Sequence, residues 1–234
     1  MPPVTGEELL IILAALAVGG LVKGVTGMGL PLIAIPVMAG FLGVERAVLT
    51  MVIPTAVLNG YQVWMHRSEA RRLPEWPRLL LAGIPGAIFG ATVLYLASDR
   101  FLSTALAIWL LGYVLLRLAH PSLSLSMPRR MRWSPVVGAA SGALQAAVGI
   151  SAPIIAPYVD ALGLRPRAYI FAVCLPFGTF AAAHLAIVIG LRLYTTELLV
   201  QSLLAVIPAI VIHPCRYLDC SRRSTTKTSR RSTA

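Results

Sequence analysis

An apolar run from Leu9 to Leu42 is too long for one ordinary membrane helix, and it is interrupted at Lys23-Gly24-Val25-Thr26-Gly27-Met28-Gly29-Leu30-Pro31. Three glycines and a proline stand where a helix would have to continue. In hydrocarbon a broken helix leaves backbone N–H and C=O groups without partners. Such backbone is tolerated only where it is buried in protein or lines a polar cavity. The break is therefore the first candidate for the working site.

Composition sets the solvent. The chain has 234 residues, 57% hydrophobic and 12% charged, against roughly a quarter charged in a water-soluble domain. Apolar runs near or above about 18 residues recur along its length, which implies an all-α polytopic membrane protein with no room for a separate soluble domain. No Lys or Arg precedes the first apolar run, so Leu9 onward is expected to belong to the mature protein rather than to a cleaved signal peptide. The net charge of +11 is uneven: six Lys/Arg and one acid lie from Cys215 onward, leaving 14 basic and 8 acidic residues and a charge of +6 before it. That remainder sits mostly in short loops, as the positive-inside rule expects, so nucleic-acid binding is the weaker reading. Cys174, Cys215 and Cys220 match no zinc spacing and say nothing firm about redox compartment.

Read in order, the run gives helices over about Leu9–Val22 and Leu30–Leu42, a hairpin either spanning or re-entrant, and a turn at Gly43–Arg46. Spans follow over Ala47–Trp64, Leu79–Ala97 and Phe101–Leu118, separated by a basic loop, His66–Arg78, and a turn at Asp99-Arg100. Gly83, Gly86 and Gly90 suit close helix contact. After a second basic stretch, His120–Arg132, the pattern restarts: Val136–Val148, a break at Gly149-Ile150-Ser151-Ala152-Pro153, Ile154–Leu162, a turn at Gly163–Arg167, then Ala168–Gly190 and Glu197–Ile212. At an offset of 122 residues Gly20 pairs with Gly142, Gly27 with Gly149, Pro31 with Pro153 and Pro54 with Pro176. An internal repeat with interrupted helices in matching positions points to a transporter binding site, although Gly/Pro-rich membrane helices also resemble one another by default.

A hairpin plus three spans is an odd number of crossings, so the second half is expected to be inverted. With the Arg67–Arg78 and Arg129–Arg132 segments in the cytoplasm, and with Lys23 and the tail left out, ten basic residues (Arg117 among them) fall inside and Arg46, Arg100 and Arg192 outside; a parallel repeat gives nine and four. The expected division is residues 1–119 as first membrane repeat, 120–132 as basic cytoplasmic linker, 133–213 as second repeat lacking its last helix, and 214–234 as a polar, basic, disordered tail. The repeat calls for a further span after Ile212; CRYLDCSRRSTTKTSRRSTA cannot supply it, which suggests truncation or a frameshift, or else a native tail binding anionic lipid.

The stretches GLVKGVTGMGLPLIAIPVMAGFLGVERAV and GALQAAVGISAPIIAPYVDALGLRPRAY resemble the sulfite exporter TauE/SafE-like permease family, over roughly Leu9 to Ile212. The resemblance implies an inner-membrane, multi-pass permease for a small anion such as sulfite, a sulfonate or another organosulfur compound, with no cofactor. The missing last helix departs from the family.

The residues themselves suit such a role. Gly27 and Gly29 permit a sharp turn, and Pro31 fits the first turn of the next helix. That helix then starts inside the membrane with free N–H groups and its positive dipole end facing the gap, an anion site. In the second half Ser151 is placed to cap the helix, with Pro153 in its first turn. Lys23 either attracts the anion or snorkels to an interface; Gly24 and Thr26 lie beside it. Thr55, Asn59, Gln62 and His66 share one helix face, for the substrate or for helix–helix hydrogen bonding. Gln145 aligns with Lys23, and His184 with Gln62. His184 is a candidate for proton coupling or a structural hydrogen-bonder. The expected substrate-binding set is Lys23, Gly24, Thr26, Gly27, Gly29, Pro31, Asn59, Gln145, Gly149, Ser151 and Pro153. No catalytic or metal-ligand constellation falls at useful spacing, so an enzyme is not expected. A structural or assembly membrane protein, or an inactive truncated permease, is the alternative. The partners expected are a small-molecule anion and the lipid bilayer; homo-oligomerisation is open.

Overall fold

The structure, a computed structural model, describes residues 6–26, 29–119, 126–192 and 194–212. Gly27 and the segment 213–234 therefore lie outside the described residues. Among the described residues the chain is all-helical. The helices are α1 (Gly6–Thr26), α2 (Leu30–Leu42), α3 (Val44–Met65), α4 (Trp76–Leu96), α5 (Asp99–Ala119), α6 (Met127–Val148), α7 (Ala152–Asp160), α8 (Pro166–Gly190) and α9 (Thr196–Ile212), with a 3-10 segment at Arg67–Arg72 before α4. Four of them, α3, α4, α5 and α8, contain stretches long and apolar enough to cross a membrane. The chain is a multi-pass membrane protein.

Local chemistry explains most of the boundaries. Proline stands in the first turn of α2, α4, α6, α7 and α8, where its missing N–H would have had no intrahelical partner. Gly43 (φ 82°) joins α2 to α3 without a linker. The first N–H of α3 is capped from a distance: Val44 N–H donates to Asp99 Oδ1 at 2.7 Å. Two boundaries differ from the sequence expectation. Helix α1 runs on through Lys23 and Gly24 to Thr26 rather than stopping near Val22. The basic stretch expected as a loop over 120–132 is helical from Met127, because Pro128 can start a helix and arginines are good helix formers once the ends are free to reach solvent.

Packing is densest where side chains are smallest. On α4, Gly86 and Gly90 face the carbonyls of Ala139 and Ala143; on α6, Gly138 and Gly142 face those of Leu79 and Gly83. A Cβ at any of these four positions would overlap facing backbone. The α4–α6 contact is accordingly the most extensive in the molecule, followed by α3 against α8. Helices α1 and α9 also pack together, as do α3 with α9 and α4 with α8. Helix α5 stands apart, with Phe101, Ile108, Leu111 and Leu115 exposed, the surface a helix shows when lipid is its solvent.

Hydrogen bonds identify which turns share an end of the bundle. Arg130 donates to the Leu162 carbonyl at 2.9 Å, and Tyr158 Oη donates to the Arg130 carbonyl at 3.2 Å, bringing the starts of α6 and α8 and the end of α7 together. The 3-10 segment packs on α8 at the same end. Asp99 and Gly43 meet at the other end, where Tyr194 Oη donates to the Leu49 carbonyl at 2.7 Å.

Candidate functional site

The second interruption is held by one glutamine. The chain turns at Gly149 (φ 72°, ψ 4°), a left-handed conformation open to glycine at little cost. Gln145, one turn back on α6, donates from Nε2 to the Gly149 carbonyl at 3.2 Å and accepts from Ser151 Oγ at 2.7 Å. Its amide thus spans the break and satisfies a polar group on each side. This corrects the expected role of Ser151: it occupies the position before α7 but makes no side-chain cap bond. A hydroxyl donates one proton, and here the glutamine carbonyl receives it. Pro153 lies buried in the first turn of α7. A Cβ on Gly149 would collide with Ile35 of α2, so a side chain there is opposed by packing as well as by backbone conformation.

Around this turn α3, α6 and α8 form a small, partly open pocket lined by Val48, Met51, Val52, Thr55, Gln145, Gly149, Ala181 and His184. The space open to a water-sized sphere is about 10 Å³, room for about one water and less than an oxyanion needs. His184 is 1% exposed. Its Nε2 has no hydrogen-bond partner among the described residues.

Lys23 lies one turn of α3 away from the cavity wall. Only 2% of it is exposed, so it does not snorkel outward. Its Nζ donates to Asn59 Oδ1 at 2.8 Å, and Asn59 Nδ2 donates to the Thr55 carbonyl at 2.8 Å. No carboxylate among the described residues pairs with it. Asn59 holds the lysine through a neutral carbonyl, which orients a cation without cancelling it.

The expected face of α3 is buried at Thr55, Asn59 and Gln62, while His66 caps the helix end, its Nδ1 2.9 Å from the Gln62 carbonyl. Gln62 Oε1 accepts the Cys174 thiol at 2.7 Å. The structure thus brings Gln145, Gly149, Ser151 and His184 together, and joins Lys23 to Asn59. Gly29 (φ 111°) precedes α2, with Pro31 in the first turn of that helix; Gly24 and Thr26 lie on the last turn of α1. The face that Thr55 shares with Asn59 was legible from their spacing, and the structure puts Thr55 in the pocket wall; Cys174 as a partner of Gln62 was not foreseen. The Cys174 pairing spans 112 residues and left no signal in the sequence.

The family profile described as sulfite exporter TauE/SafE matches residues 11–213. The chain belongs to the sulfite exporter TauE/SafE family. That is a family of membrane transporters rather than enzymes, in keeping with the apolar helices. No curated protein and no solved structure matches the chain.

Proposed function

We propose that this TauE/SafE family member is an inner-membrane permease that moves a small anion, of the sulfite, sulfonate or organosulfur class, by alternating access. The observation that carries the reading is Lys23: an enclosed cation, bonded to a neutral amide, on the flank of a helix interruption. A buried positive charge without a counter-ion is costly, and a bound anion relieves that cost. The N-terminus of α7 adds donors and a favourable dipole beside the Gln145–Ser151 clamp. Lys23, Gly24, Thr26, Gly27, Gly29, Pro31, Asn59, Gln145, Gly149, Ser151 and Pro153 form the substrate site in this reading, and His184 carries a coupling proton.

The molecule is read as two inverted, pseudo-symmetric halves, each led by a glycine-broken re-entrant hairpin. Helix boundaries support this, since α1 ends at 26 and α6 at 148, α2 begins at 30 and α7 at 152, and α3 begins at 44 and α8 at 166. All three pairs differ by 122. The contacts also exchange in kind when α1–α4 are replaced by α6–α9: α4 with α6 becomes α9 with α1, and α3 with α9 becomes α8 with α4. The shared end of the Arg67–Arg78, Arg129–Arg132 and Arg165–Arg167 segments favours placing that end in the cytoplasm. Uptake of radiolabelled sulfite, methanesulfonate and chloride into proteoliposomes tests the function. Flux of an organosulfur anion is expected, abolished by Gly27→Leu and by Gly149→Leu. Folded protein that moves no anion refutes it, and near-normal flux in both variants refutes the site.

A further inference from the structure

The outward face of α3 ends in an aromatic and cationic stack. Thr55, Asn59 and Gln62 fill the buried side of this helix. Val57, Tyr61, Trp64 and Met65 fall on the opposite side and are exposed, which in a membrane span means exposed to lipid. Tyr61 and Trp64 stack with ring centroids 6.5 Å apart. Trp64 is 62% exposed and lies in the last turn of α3. Exposed tyrosine and tryptophan rings gather at the level of lipid headgroups. Arg67 opens the 3-10 segment directly after α3, and its side chain folds back onto the stack. Its guanidinium carbon lies 5.2 Å from the Trp64 ring centroid, and Nη1 donates to the Trp64 carbonyl at 2.9 Å.

The ring and the carbonyl fix the guanidinium without neutralising it. Both are uncharged, and among the described residues they are the partners of Arg67. The other N–H groups of the fork point away from that single carbonyl bond and stay available. Arg71 and Arg78 are exposed nearby in sequence and add to the positive charge. Transport through the candidate site has no use for this cation, since it follows the side of α3 opposite Asn59 and the pocket. A cation oriented in advance suits a phosphate. A dissolved phosphate would meet the charge alone. A lipid phosphate also brings acyl chains that lie along Trp64, Tyr61 and Val57, so charge and apolar face together select a lipid.

We propose that Trp64 and Arg67 form a headgroup site for an anionic phospholipid. Arg67 takes the phosphate through its free N–H groups, a planar fork that lysine cannot copy. The Tyr61–Trp64 stack and Val57 carry the first part of an acyl chain. A phosphatidylcholine headgroup holds a phosphate too, but its own ammonium offsets the attraction of Arg67. The site therefore prefers phosphatidylglycerol. This holds whichever anion the protein moves.

The test places the full chain in phosphatidylcholine vesicles with increasing fractions of phosphatidylglycerol brominated on its acyl chains. Bromine quenches tryptophan by contact, and the difference between wild type and Trp64→Leu isolates the Trp64 signal. Wild type is expected to gather phosphatidylglycerol at Trp64 in excess of its share of the bilayer. Arg67→Gln is expected to lower that preference about fivefold, the worth of one basic residue at an anionic surface. Arg67→Lys is expected to recover little of it, and Arg71→Gln to leave most of it. The substituted side chains are exposed, so all variants are expected to fold. A Trp64 signal that simply follows bilayer composition in wild type overturns the proposal. Full recovery in Arg67→Lys, or a loss in Arg71→Gln equal to that in Arg67→Gln, also overturns it, because a diffuse basic surface would then be responsible. Glycerol 1-phosphate in solution is expected to leave the quenching unchanged; if it abolishes the preference, the ligand is a dissolved phosphate and not a lipid.

Discussion

The Lys23–Asn59 pair yields different predictions for its two members. Asn59→Leu removes the acceptor at 2.8 Å and leaves the ammonium enclosed. Stranding a buried charge costs about 3–5 kcal/mol. For a chain of this size that lowers the melting temperature by on the order of 10 °C. Lys23→Met removes the charge and keeps the stem. Removing the buried charge is stabilising, but it leaves the Asn59 carbonyl without its donor at a cost of about 1–3 kcal/mol, so this variant should melt near wild type and well above Asn59→Leu. It should also lose more than about tenfold in anion flux, since a bound anion would forfeit at least 1.4 kcal/mol of attraction. The double variant Lys23→Met/Asn59→Leu should melt at or above Lys23→Met, because it removes the stranded Asn59 carbonyl together with the charge. Intrinsic fluorescence from Trp64, Trp76, Trp109 and Trp133 follows unfolding, and flux is measured on the same reconstituted protein. If Lys23→Met were destabilised as much as Asn59→Leu, the charge would be a structural requirement, and the argument that it awaits an anion would fail.

Two further outcomes follow from packing and from the clamp. Gly142→Ala places a methyl against the Gly83 carbonyl and should destabilise by about 1–3 kcal/mol. Gly112→Ala meets nothing within 4 Å and should stabilise by about 0.5–1 kcal/mol through helix propensity; thermal melts of the two against wild type give the comparison, and equal shifts would contradict the close α4–α6 approach. Gln145→Leu leaves the Ser151 hydroxyl and the Gly149 carbonyl without their partner and should cost about 2–4 kcal/mol. Hydrogen exchange at the start of α7 should accelerate in that variant but not in His184→Gln, whose ring makes no bond to the turn.

Much of the local structure could be read from residue types alone. Pro31 and Pro153 sit in first helical turns because proline carries no N–H to satisfy. Gly29, Gly43, Gly149 and Gly163 adopt positive φ because a side chain there would be strained. Each of these is decided within a few residues, so each was legible. Helix extents were less so: α1 continues through Gly24 to Thr26 because one glycine costs a helix only about 1 kcal/mol, less than the unsatisfied backbone an earlier end would leave. Ser151 was misread for a related reason. A cap position is a local feature, but the stronger acceptor for its hydroxyl was Gln145, six residues back on another helix.

The sequence by itself determined that this chain lives in a membrane, that its helices break at glycine, and that it shares the motifs of the TauE/SafE family, since hydropathy, φ preference and motif are properties of neighbouring residues. The tertiary structure alone decided the fate of the charges. Lys23 meets Asn59 across 36 residues, three helices line a pocket around His184, and Glu75, next in sequence to the Trp76 that stacks on Tyr158, is fully buried with neither carboxylate oxygen hydrogen-bonded among the described residues. The physical reason is range. Desolvation and ion pairing depend on everything within several ångströms in space, and in a bundle most of that neighbourhood is contributed by distant segments of the chain.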